Sequence, residues 1–266
     1  KILFLRVCED RNIETYQALL NIAENDSYSA LIQKFREADR KYNSGLFDEL
    51  LSQKVIEQIS SSFWVIIRQL YYPESPYSFA VLSSDILGRI YEIFLAQKIA
   101  IQDGEVVLVD KPENIERDIV TTPNYIVREI LNQTVNDVIR EKTDLQLNEL
   151  RCADIACGSG AFLLELYQLL CDALVDYYVI HDPSQLIRTN VDSYRLPYRT
   201  KCRLLTNCIY GFDKDYNAVE ACKFGLLLKL LEDEDLDTLS DQHPILPNMD
   251  NNIFYGNSLL SPSDVP

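Results

Sequence analysis

Gly158 and Gly160 stand one residue apart in "RCADIACGSGAFLLELY" (residues 151–167), between a short apolar run and a long helical one. With only eight glycines in the chain, their placement carries information. In an open sheet of alternating strands and helices, ligands bind beyond the carboxyl ends of the strands, and the first strand-to-helix turn is where backbone comes nearest to them. Glycine there removes the Cβ atoms that would hold a ligand off, and the next helix aims its N-terminal amides and positive dipole end at an anionic group. Taken alone, the pair fits a tight structural loop equally well. Downstream, "GFDKD" puts Asp213 where a carboxylate accepts both hydroxyls of a ribose, unless it only caps the following helix. "YGNSLL" then offers the amide side chain of Asn257. Gly158, Gly160, Gly211 and Gly256 all fall at predicted strand ends along one edge, which favours a nucleoside-bearing ligand.

These residues need strands and helices to hold them. "CADIA" (152–156), "CIYGFD" (208–213) and "NIFYG" (252–256) read as short buried strands, with "GAFLLELYQLLCDALVDYY" and "NAVEACKFGLLLKLLED" as helices after the first two. Alternating strand and helix predicts an α/β fold with a parallel, doubly wound sheet. Gly160 to Asp213 spans 53 residues, against about 20 in a dinucleotide fold. A helical insert around residues 180–206 is therefore expected. From Lys1 to about Ile101 the periodicity is helical throughout, in "YQALLNIA", "VIEQISSSFWVIIRQLYY" and "SSDILGRIYEIFLAQKI", with Ser84-Asp85 as an N-cap. Residues 103–115 form the connection, which gives an all-α helical domain over 1–115 and an α/β domain over 116–266.

The composition narrows the function classes. An apolar content of 47% supports a globular core. No apolar run is long enough to cross a bilayer, and "KILFLRV" is too short for a secretory signal, so a cytoplasmic location is expected, with no membrane partner. Seven cysteines without a C-x-x-C pair indicate reduced core residues, with no disulfide framework and no metal site. The formal charge of -16 argues against the surface as a whole wrapping a phosphate backbone. The acidic "EDEDLDT" (232–238) reads as a solvated helix end. His181 and His243 lie in predicted loops, and "YYPESPY" (71–77) as a packed interhelical turn. Both chain ends look cut from something longer.

"DIACGSGAFL" (154–163) resembles the D-P-A-C-G-S-G-x-F-L signature of the amino-methyltransferases that modify adenine in DNA, including type I modification subunits and fused type IIG restriction-modification enzymes. "LLTNCIYGFDKDYNAVEACKFGLLLKLLE" is similar to the second motif of that family, "NNIFYGNSLL" to the third, and "TTPNYIVREIL" to the segment ahead of the first. "ILFLRVCEDRNI" and "SDILGRIYEIFL" resemble the helical domain that sits between nuclease and methyltransferase in the large fused enzymes. The resemblance implies a Rossmann-like core and S-adenosylmethionine as cofactor. Thr122 and the loop Ala156-Cys157-Gly158-Ser159-Gly160 would hold its methionine end, with Asp154 fixing the loop. Asp213 would take the ribose, Lys214 would lie beside the adenine, Asn257 would bond its edge with Ser258 adjacent, and Phe162 would line the pocket or serve the core. Ile155 stands where the family has proline, and Val120-Thr121 where it has aromatics. The implied partners are double-stranded DNA, gripped through regions outside this chain, and a restriction or specificity subunit or domain.

The family's [N/D]-P-P-[Y/F] tetrapeptide, which accepts the hydrogens of the target amine and stacks the base, is absent: no two of the ten prolines are adjacent. The chain is thus expected to be a cofactor-binding fragment, inactive on DNA by itself, and no catalytic residue is assigned. Two other readings stay open. One is a methyltransferase on an RNA base or a protein amine; the other is a non-catalytic assembly module. A nicotinamide-dependent dehydrogenase fits least.

Overall fold

The computed structural model describes residues 1–42, 45–47, 60–81, 97–102, 105–110, 122–190 and 193–259. The chain divides into two compact units, Lys1–Leu82 with Leu231–Asn248, and Ser83–Leu230 with Met249–Pro266.

The described part of the first unit contains α1 (Ile2–Asp10), α2 (Ala18–Glu24), α3 (Tyr28–Tyr42) and α4 (Ser60–Arg68). Apolar residues at helical spacing meet in its core, where Phe4 packs edge-on against Tyr42 at 5.0 Å and Phe47 at 5.9 Å. Leu231–Asn248 lies against these helices. Its Ile245 and Leu246 amides donate to the Lys41 and Tyr42 carbonyls, and Leu231, Leu239, Ile245 and Leu246 are buried. The acidic stretch expected to be a solvated helix end is in part packed, since Glu234 is buried. Of "YYPESPY", Tyr71 is buried while Tyr72 and Tyr77 are exposed. The cap Ser84-Asp85 and most of the helix predicted after it lie outside the described residues.

In the second unit, β1 (Gln97–Gln102) pairs antiparallel with β2 (Glu105–Asp110). The prediction that helix continues through Ile101 is corrected here: "KIAIQ" pairs with the β-branched run of "EVVLVD", and that cross-strand partner outweighs the helical spacing. Among the described residues three helices follow, α5 (Asn124–Thr134), α6 (Asn136–Ile139) and α7 (Asp144–Asn148), the last capped by a capping box between Thr143 and Gln146. Next come β3 (Cys152–Asp154), α8 (Ala161–His181), the hairpin of β4 (Ile187–Asn190) and β5 (Ser193–Arg195), α9 (Tyr198–Cys208), β6 (Ile209–Asp213), α10 (Tyr216–Leu230) and β7 (Ile253–Tyr255).

Strands β3, β6 and β7 form a parallel sheet in that order, with Asp154 opposite Gly211 and Asp213 opposite Tyr255. The three predicted strands are therefore present, trimmed at their ends. Side chains alternate across the sheet. Ile209, Gly211 and Ile253 point to the face that α8 covers, where Leu163 approaches Gly211, while Phe212 and Phe254 stack at 5.0 Å on the other. The long spacing before β6 is filled by α8, a hairpin and α9. A wholly helical insert is thus overturned in part: "IRTN" and "SYR" carry strand-forming Ile, Thr and Tyr and pair antiparallel. The seven cysteines are free thiols, and burial pushes those of Cys8 and Cys171 up to about 12. No helix among the described residues is long and apolar enough to cross a membrane.

Candidate functional site

Asp154 ends β3, and its Oδ1 accepts the Ala156 amide at 3.0 Å, which turns the chain sharply out of the strand. The Cys157 amide then reaches across to the Phe212 carbonyl at 2.9 Å, tying the loop to β6. Gly158 donates to Asp213 Oδ2 at 2.8 Å, and Asp215 donates to Asp213 Oδ1 at the same distance. Gly158 and Gly160 both take left-handed backbone, φ 53° and 93°, which glycine adopts without strain.

The two glycines are there for different reasons. A Cβ on Gly158 would meet nothing within 4 Å, so that side of the loop is open. A Cβ on Gly160 would stand 2.7 Å from Cys222 Sγ on α10. Gly160 therefore serves helix packing, and the room it makes is filled by protein. Cys157, Ser159 and Gly160 are buried, Phe162 is half-buried on the first turn of α8, and Ala156 is exposed.

The third strand end joins the same edge. Gly256 donates to the Asp213 carbonyl at 2.9 Å, and the Ser258 hydroxyl to the Ile155 carbonyl at 2.8 Å. Asn257 is exposed, and its Oδ1 accepts the Leu259 amide at 3.0 Å. Lys214 is exposed beside Asp213. The helix cap is Asp215, whose Oδ1 accepts the Asn217 and Ala218 amides, so Asp213 is not consumed as a cap. Thr122 lies two residues before α5; that helix packs on α8 and is tied to it by Arg128 and Glu165 at 2.5 Å.

Tyr216 and Tyr255 are site neighbours that the sequence pattern did not single out. Their rings meet edge-on at 5.9 Å, 51% and 64% exposed. Tyr255 is the register partner of Asp213 and so shares its face of the sheet. Only its place at a strand end could have flagged it.

Burial raises the Asp154 carboxyl above its ordinary value, the Ala156 amide opposes this, and the charge of Asp213 raises it further. Two carboxylates thus face one loop. That edge accepts hydroxyls and favours a cation, whereas a pyrophosphate beside it would be repelled. Among the described residues no cluster of His, Cys, Asp or Glu fit for a metal occurs.

A parallel sheet with helices between its strands, and with a glycine loop and a tethered carboxylate at its strand ends, makes this an α/β protein. Over 264 residues, 99% of its length, the chain is 48% identical to the type II restriction enzyme and methyltransferase RM.Eco57I of Escherichia coli. Over 206 residues it is 28% identical to the putative type II restriction enzyme and methyltransferase RM.MjaORFECS2P of Methanocaldococcus jannaschii. The chain spans only 26% and 16% of those two proteins. No family model matches it.

Proposed function

We propose that the chain is the S-adenosylmethionine-binding part of a DNA adenine methyltransferase in a restriction-modification system. The observation that carries this is Asp213. Its carboxylate is oriented by the Gly158 and Asp215 amides and stands near Asp154, and the relatives of this chain are named restriction enzymes and methyltransferases.

The residues present fit the cofactor. A carboxylate has about four acceptor positions, and two of those on Asp213 are used internally, which leaves its outward lone pairs for the two ribose hydroxyls. The carboxylates of Asp154 and Asp213 suit a ligand that carries a sulfonium and an ammonium. The open side of Gly158, together with Ala156 and Thr122, would receive the methionine end, with Cys157, Ser159 and Gly160 shaping the loop from beneath and Phe162 bordering it. Lys214, Asn257 and Ser258 would border the adenine. When bound, the cofactor supplies an electrophilic methyl group. The chain's own part is to bind and orient it. Its sequence lacks the tetrapeptide that would accept the hydrogens of an adenine amine extruded from the duplex, so methyl transfer by this chain alone is not expected.

Calorimetric titration with S-adenosylmethionine, beside Asp213→Ala and with NAD as a control, tests the proposal. Saturable binding that the variant loses supports it. NAD binding, or indifference to the variant, would sink it. Methylation of duplex DNA by the chain alone would overturn the expectation of inactivity.

A further inference from the structure

We propose that the β4–β5 hairpin and the first turns of α9 form a contact surface for the phosphate backbone of duplex DNA. This rests on the function proposed above for the choice of duplex as partner. Residues 187–203, "IRTNVDSYRLPYRTKCR", hold Arg188, Arg195, Arg199, Lys201 and Arg203 against a single acid, Asp192, in a chain whose formal charge is -16. The concentration is local, and the net charge of the chain conceals it.

The basic run falls on an added element. The hairpin lies between α8 and β6, where a nucleotide fold needs only a short turn, and all four residues of β4 are exposed. A two-stranded hairpin contributes little stability of its own, and this one carries Arg188 and Arg195 just ahead of the three cations of α9. Arg188, Arg199 and Arg203 are exposed, and Arg199 and Arg203, four residues apart on α9, share one helical face.

The remaining chemistry suits phosphate rather than base edges. Asn190, Ser193 and Tyr194 supply amide and hydroxyl groups, which with Arg and Lys make most protein contacts to phosphate and sugar. The Thr189 hydroxyl donates to the Ser193 carbonyl at 3.0 Å across the hairpin, closing it where the register shifts between Arg188 and Asn190. A surface of this kind grips the duplex without reading its sequence. Each phosphate neutralised adds about 0.9 to the slope of log affinity against log salt, so three arginines are worth about 40-fold between 50 and 200 mM salt.

The test uses the full-length protein with its flanking polypeptide. Fluorescence anisotropy with a labelled duplex is followed across KCl concentrations for the native protein and for the triple variant Arg188→Gln, Arg199→Gln, Arg203→Gln. The salt slope is expected to shrink by about 2.7, equally for cognate and unrelated duplexes, with S-adenosylmethionine affinity unchanged. Lysine at the three positions should restore the slope, since a phosphate asks only for charge. An unchanged slope in a variant that still binds cofactor overturns the proposal. So does a loss confined to the cognate sequence, or a loss of association between protein copies in sedimentation instead of DNA binding. A native protein that binds duplex through this surface yet never binds S-adenosylmethionine would overturn the function proposed above and leave this inference standing.

Discussion

Two sets of carboxylates divide the molecule. In the first unit Glu9 is 1% exposed and accepts the Leu19 amide at 2.9 Å, the Gln17 amide at 3.2 Å and the Tyr71 hydroxyl at 2.6 Å. Arg6 lies beside it, stacked 4.2 Å over the Tyr71 ring and bonded to Asp10. Glu14 is closed in the same way by Lys34, Lys41 and Tyr42. In the second unit Asp213 takes two amides from nearby loops and remains half-buried, and Asp154 takes one. A carboxylate closed by side chains from several helices is part of the scaffold. One oriented by the backbone beside it keeps acceptor positions that the proposed cofactor would use.

If that contrast holds, the scaffold set should respond in stability and the edge set in binding. Glu9→Ala should cost the most, about 3–5 kcal/mol, because it leaves the buried Leu19 amide and the Tyr71 hydroxyl without their acceptor and takes from Arg6 one of its two carboxylates. Urea denaturation measures this, and a cost under 1 kcal/mol would break the contrast. Gly160→Ala should follow at about 2–4 kcal/mol, from left-handed strain and the clash with Cys222. Adding Cys222→Ala should recover part of it, while Gly158→Ala, with open space around it, should cost only about 1–2 kcal/mol from its backbone conformation. Asp213→Ala should weaken S-adenosylmethionine about 10- to 100-fold, the worth of hydrogen bonds to a charged group, and shift the urea midpoint little.

The smallest effect is one of pH. Burial pushes the Glu14 carboxyl up, but Lys34, Lys41 and Tyr42 outweigh it and hold the group below its ordinary value. A lowered value in the folded state means stability that is present above the unfolded value and is lost as pH falls through the folded one. The cost of Glu14→Gln should therefore be full at pH 7 and shrink below about 4.5. A cost that grows on acidification would reverse the assignment.

The strand ends were legible because a short apolar run stopped by glycine or aspartate has few other meanings. Asp213 was legible as a position but not as a bond, since "DKD" does not say which aspartate caps α10. The Gly160 contact was hidden because Cys222 comes near it only in the tertiary fold. The hairpins were missed where Ile and Val spaced for a strand also fit a helix, as in "AQKIAIQ". Glu9 and Glu14 escaped notice because a buried acid looks like a surface one until its donors are known.

The excursion of Leu231–Asn248 bears on how the chain can be taken apart or made. After α10 it leaves the second unit, completes the first, and returns at Met249 to lay down β7. Neither unit is a continuous piece of polypeptide. A fragment cut at Leu82 would carry Leu231, Leu239, Ile245 and Leu246 with no surface to bury them. During synthesis, α1 to α4 wait for residues 231–248, which are made only after most of the second unit, so the order of translation is not the order in which the two cores can close.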